Sequence, residues 1–94
     1  MKVKVEFSGG LELLFDKATR LTVDVDEKTT IKDLIAYLKQ NHLKEKPELF
    51  MSGDSVRPGI LVLVNDVDWE LLDGADYKVE PNDNVVFIST LHGG

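Results

Sequence analysis

Val3, Val5 and Phe7 alternate with Lys4, Glu6 and Ser8 at the start of the chain. A period of two places the three apolar side chains on one face of a strand, and Gly9-Gly10 predicts its end. After a Leu-rich connector, Leu11 to Phe15, the alternation returns with Leu21, Val23 and Val25 against Thr22, Asp24 and Asp26. These two strands are expected to pair as a hairpin-like unit.

The period changes at Thr30. Ile31, Leu34, Ile35 and Leu38 recur at i, i+3, i+4 and i+7, the stripe of an amphipathic helix, and Thr30 with Asp33 three residues on predicts a capping box at its start. Asn41 and His42 stand near the helix end, where a partly charged imidazole interacts favourably with the helix dipole. Pro47 to Met51 reads as one short helical turn, and Gly53, Pro58 and Gly59 mark a loop before the β-branched strand Ile60 to Val64. Asn65 to Gly74, with Trp69 and Leu71 alternating against Glu70, predicts a turn and a short edge strand. Asn82-Asp83-Asn84 then turns the chain into a last strand, Val85 to Thr90.

The order strand, strand, helix, strand, short strand, strand predicts an α+β fold. We expect a mixed four- or five-stranded sheet with one main helix packed across it, an arrangement that includes the β-grasp (ubiquitin-like) fold. Residues 1–90 form the expected domain and residues 91–94 a flexible C-terminal tail. No internal repeat or low-complexity tract is present.

Length agrees with this: 94 residues, 43% of them apolar, suffice for one small core. Charge removes some functions. The net charge of −6 repels a phosphate backbone, so neither direct nucleic-acid binding nor an anionic membrane surface is expected. The charge is also unevenly spread: Met1 to Pro47 holds nine basic and eight acidic residues (+1), and Glu48 to Gly94 holds two basic and nine acidic (−7). With no cysteine there is no disulfide, thiolate metal site or cysteine nucleophile. No apolar run exceeds Ile60 to Val64, so neither a signal peptide nor a membrane span is expected, and the reading is of a soluble intracellular protein.

Candidate chemistry is sparse. The chain ends in Leu91-His92-Gly93-Gly94. Two residues without Cβ let a backbone thread a narrow active site and bring a terminal carboxylate to a nucleotide; the alternative is a frayed terminus without a role. His42 continues the Leu38 side of the helix stripe and reads as structural, and His92 is either a solvated side chain or a recognition handle beside the glycines. Nothing links a Ser, a His and an Asp by spacing into a hydrolase triad. Asp66, Asp68 and Asp73 lack the spacing of a calcium loop and read as a solvated acidic face. Trp69 is expected to pack at the sheet edge, the alternative being a stacking platform. Arg57 either pairs with Asp54 or Asp66 or contacts a partner. In the last strand Val85 and Phe87 are expected to face the helix, which points Val86 and Ile88 the other way, together with Leu61 and Leu63 or their alternates. Such a second apolar face is either a partner surface or one covered by a loop.

Several segments together resemble one family. Lys4-Val5-Glu6-Phe7 with Gly9-Gly10, Pro47-Glu48-Leu49-Phe50, Asp54-Ser55-Val56-Arg57-Pro58-Gly59-Ile60, Asp66 with Asp68-Trp69-Glu70-Leu71, and Ser89-Thr90-Leu91-His92-Gly93-Gly94 look like the ubiquitin-related modifiers, eukaryotic β-grasp proteins that double as sulfur carriers. Ubiquitin itself carries Arg where this chain has His92, and the bacterial molybdopterin and thiamine carriers lack the Arg57-Pro58-Gly59 and Asp68-Trp69-Glu70 segments.

The resemblance implies a substrate of other enzymes with no catalytic residues of its own. Gly94 would be adenylated by an activating enzyme of the ubiquitin-activating type that carries a rhodanese-like domain, using ATP and a persulfide sulfur donor, and would leave as a thiocarboxylate. That sulfur would serve a tRNA thiolation complex acting on the wobble uridine, and Gly94 would also form isopeptide bonds with lysines of target proteins. Gly93, His92 and Leu91 would be recognised in the tail, and Val86, Ile88 and Arg57 would contact a partner. The resemblance also implies a monomer with no bound cofactor or metal, in the cytoplasm and with the nucleus as a second compartment. The rival from another class is a β-grasp interaction domain whose Gly pair has no chemistry.

Overall fold

The computed structural model describes residues 1–89. The expected end of the last strand at Thr90, the boundary of the domain at residues 90 and 91, and Leu91, His92, Gly93 and Gly94 lie outside the described residues.

Among the described residues seven strands and one α-helix run in the order β1 (Lys2–Ser8), β2 (Arg20–Asp24), α1 (Ile31–Asn41), β3 (Met51–Ser52), β4 (Ser55–Val56), β5 (Ile60–Val64), β6 (Val67–Asp68) and β7 (Asn84–Ser89). Five of them form one mixed sheet in the order β2-β1-β7-β5-β6, and β3 and β4 make a separate ribbon. This is the β-grasp arrangement. β1 and β2 pair antiparallel with Val3 opposite Val23 and Val5 opposite Leu21. β1 and β7 run parallel, with Val5 opposite Val85 and Phe7 opposite Phe87, and β5 runs antiparallel to β7. The first and last strands therefore occupy the middle of the sheet side by side.

The helix starts where the sequence predicts. The Asp33 backbone N–H donates to the Thr30 hydroxyl at 3.1 Å and the Thr30 N–H donates to the Asp33 carboxylate at 3.1 Å, which closes the capping box. Ile31, Leu34, Ile35 and Leu38 are fully buried and join Val3, Val5, Phe7, Val62, Val64, Val85 and Phe87 in a single core. Phe7 stacks on Phe15 with centroids 3.9 Å apart, and Phe50 meets both Phe15 and Phe87 edge-on.

The connectors carry more structure than periodicity reveals. Leu11–Phe15 is a 3-10 turn that buries Leu11, Leu14 and Phe15. The expected helical turn after Pro47 covers only Pro47–Leu49, because Met51 already pairs with Val56 across a tight turn with Gly53 at φ +66°. The expected edge strand through Trp69 and Leu71 is shorter: β6 ends at Asp68, whose carboxylate accepts from the Glu70 N–H at 2.9 Å and starts a 3-10 turn over Trp69–Leu71. Trp69 still packs half-buried against the core at that edge. No helix among the described residues is long and apolar enough to cross a membrane.

Candidate functional site

Ser89 is the last described residue of β7 and the exit toward the C-terminal residues, and what surrounds it is the candidate site. Gly9 and Gly10 turn β1 beside it, both with positive φ (+72° and +99°). A Cβ built on Gly9 collides with the Ser89 carbonyl oxygen, so glycine at this position lets the β1 turn lie directly against the exit. Gly9, Gly10, Leu11, Leu14, Leu49, Arg57 and Ser89 line a pocket of roughly 280 Å³.

Arg57 stands on that pocket with its backbone fixed at both ends: its N–H donates to the Phe50 carbonyl at 2.8 Å, and its own carbonyl accepts from the Ile60 N–H at 3.1 Å. It pairs with neither acidic residue expected from the sequence. Asp54 is instead 3.2 Å from Lys32 Nζ on α1, and Arg57 makes no ion pair among the described residues.

The sheet face away from the helix holds the second feature. Val85 and Phe87 are fully buried on the helix side, which leaves Val86 and Ile88 on the other. Leu63 lies directly opposite Val86 and Leu61 directly opposite Ile88 across the β5–β7 ladder, so these four residues form one half-buried apolar patch. On the β1 side Glu6 sits opposite Val86 and Ser8 opposite Ile88. The Asn84 amide donates to Glu6 at 2.8 Å and the Arg20 guanidinium at 3.1 Å; the amide bond and the Arg20 charge hold the Glu6 carboxyl below its ordinary range, against some burial. The patch thus has a polar border on one side.

At the other end of β7 lies a buried polar cluster that sequence reasoning took for a plain turn. Asp83 is 5% exposed, and its carboxylate accepts from the Tyr77 hydroxyl, the Asn65 amide and the Glu80 N–H, each at 2.9 Å. Burial, then the hydrogen bond and charge of Asp83, push the Tyr77 phenol up to about 12. The cluster fixes the start of β7, since Asn65 Oδ1 also accepts from the Asn84 N–H at 2.9 Å. Asn82-Asp83-Asn84 signals only a turn, because Asn65 lies 18 positions from Asp83 and no period links Tyr77 or Glu80 to it.

His42 caps α1, donating its N–H to the Leu38 carbonyl, with its ring 5.6 Å from that of Tyr37. Asp66, Asp68 and Asp73 do not converge: among the described residues no three His, Cys, Asp or Glu side chains form a metal site.

Comparison with known proteins agrees with this geometry. The family model Urm1 (Ubiquitin related modifier) matches residues 2–94. The chain is 59% identical to a ubiquitin-related modifier 1 homolog of Dictyostelium discoideum, covering all of both chains. It is 58% identical to human ubiquitin-related modifier 1 over all of this chain and 96% of that one. The solution structure of Urm1 from Trypanosoma brucei superposes with a TM-score of 0.84 at 47% identity, covering 99% of this chain and 95% of that one. A full-length match at this identity, on a β-grasp sheet whose last strand leads toward a Gly-Gly pair, places the chain in the ubiquitin-related modifier family, as a ubiquitin-like modifier rather than a catalyst.

Proposed function

We propose that the chain is a sulfur carrier and protein modifier whose chemistry takes place at the Gly94 carboxylate. The observation that carries this reading is that the family match runs through residue 94 and so includes Gly93-Gly94. The carboxylate attacks the α-phosphorus of ATP on an activating enzyme of the ubiquitin-activating type, pyrophosphate leaves, and an acyl-adenylate forms. The terminal sulfur of a persulfide on the enzyme's rhodanese-like domain attacks the acyl carbon and expels AMP. A thiol then cleaves the resulting acyl disulfide at its S–S bond, freeing the thiocarboxylate and leaving an enzyme disulfide. A cysteine-free carrier suits this sequence of steps, because no side-chain thiol competes for sulfur.

The thiocarboxylate donates sulfur to a tRNA thiolation complex for the wobble uridine, and a lysine amine of a target protein takes Gly94 as an isopeptide. The carrier acts as a monomer in the cytoplasm and nucleus. Leu91, His92 and Gly93 guide the tail, and the patch of Val86 and Ile88 with Leu61 and Leu63 docks on the activating enzyme, where apolar anchors supply most of the affinity. Incubation with an activating enzyme, ATP and a persulfide donor, followed by intact-mass analysis, tests the reading. Replacement of one oxygen by sulfur at Gly94 is expected. An unmodified chain that still binds the enzyme would favour the interaction-domain reading instead.

A further inference from the structure

We propose that Arg57 is a docking anchor that receives a carboxylate from the activating enzyme in the pocket beside Ser89. This rests on the carrier reading and deepens it.

Three observations support the assignment. The first is reach: five residues separate Ser89 from the end of Gly94, and a fully extended chain spans at most about 3.6 Å per residue, or about 18 Å in all. An enzyme that holds the Gly94 carboxylate at its nucleotide must therefore bring its surface close to the Ser89 exit, where the pocket lies. The second is charge. Glu48 to Gly94 contains nine acidic residues and only two basic ones, Arg57 and Lys78, yet none of the three ion pairs among the described residues uses Arg57. Its most obvious acidic neighbour in sequence, Asp54, is held by Lys32.

The third is preorganisation. Backbone hydrogen bonds to Phe50 and from Ile60 hold the Arg57 backbone on both sides, and Arg57 lines the pocket together with Leu11, Leu14 and Leu49. A planar fork of donors among apolar walls recognises one carboxylate with an apolar neighbour, and water exclusion there strengthens the charge-assisted bond. A polyanion is a poor fit, since the net charge of −6 repels it. The occupant is thus an acidic side chain on the enzyme, next to an apolar one.

The test measures binding of the full chain to the activating enzyme by calorimetry without ATP, beside thermal melts and the intact-mass assay. R57Q, which keeps much of the side-chain stem, should bind about tenfold more weakly with an unchanged melt, R57E more weakly still, and R57K between wild type and R57Q. The wild-type affinity should also fall more steeply with salt than that of R57Q. Binding of folded R57Q and R57E within about twofold of wild type would overturn the proposal. The same panel made in a chain lacking Gly93 and Gly94 should show the same losses; if they vanish there, the guanidinium serves the chain's own carboxylate and the proposal falls. A wild-type chain that binds but is never thiolated would remove the carrier reading and leave the Arg57 result standing, whereas a wild-type chain that does not bind would remove both.

Discussion

Gly9 and Ser89 lie so close that no side chain fits between them. The contact joins the turn after β1 to the last described residue of β7, and Gly9 also holds a left-handed φ of +72°. Gly9→Ala meets both penalties at once, strain in φ and a collision with backbone, and should cost about 2–3 kcal/mol in urea unfolding. A loss below about 0.5 kcal/mol would show that the exit of β7 yields easily.

Leu34 is fully buried at the centre of the helix stripe. Leu34→Ala removes three heavy atoms from a filled core and should lower stability by about 2–5 kcal/mol. Ala36, exposed on the opposite face, is the control: Ala36→Ser should stay within about 0.5 kcal/mol of wild type.

Tyr77 and Asp83 make stability depend on alkaline pH. The phenol is raised from 10 to about 12 in the folded chain, so its contribution is complete below pH 10, where both states keep the proton. As pH rises from 10 to 12 the unfolded state loses that proton first, and stability falls. Denaturant midpoints measured across this window should drop more steeply for wild type than for Tyr77→Phe.

Ile88 reports on the apolar patch. Ile88→Asp deletes one anchor and places a charge beside Leu61, and at an interface centre it should weaken binding to the activating enzyme about tenfold or more. Ile88 is only half-buried in the free chain, so circular dichroism should show the β-grasp fold retained. Unimpaired thiocarboxylate formation by the folded variant would assign the patch to some other partner.

Gly94 separates chemistry from stability. Among the described residues the buried apolar core runs from Val3 to Phe87, and deleting Gly94 or adding one residue after it should leave the thermal melt unchanged. Either change should abolish thiocarboxylate formation, and a bulky side chain at Gly93 should do the same by blocking the enzyme's channel. His92→Ala should be milder. Sulfur found at the end of an extended chain would refute the mechanism.

The elements visible in the sequence are those whose contacts repeat along it. Three signals converge on α1, because the Thr30 cap, Asp33 and the stripe from Ile31 all act at or within one eleven-residue helix. β1, β2, β5 and β7 show through alternation or an apolar run long enough to have a face. β3 and β4 have two residues each, too few for any period, and what defines them is the pairing of Met51 with Val56. Trp69 and Leu71 mimic strand alternation, and the capping bond from Glu70 to Asp68 decides for a 3-10 turn. The site divides in the same way. The outward pair Val86 and Ile88 follows from strand geometry, while the isolation of Arg57 depends on Lys32, 22 positions from Asp54, capturing the nearer acid.

Among the described strands β7 is the last to leave a ribosome, and it is the central strand of the finished sheet, with β1 on one side and β5 on the other. A nascent chain that stops before Asn84 has every other strand, yet β1 and β5 each lack their inner neighbour and the core lacks Val85 and Phe87. These pairings span almost the whole sequence, so cooperative folding waits for the segment that leads into the tail. A prematurely terminated product therefore has neither the assembled patch nor the pocket beside Ser89. Topology thus acts as a completeness check: under the proposed function, the docking surface is assembled only on chains whose translation has passed β7.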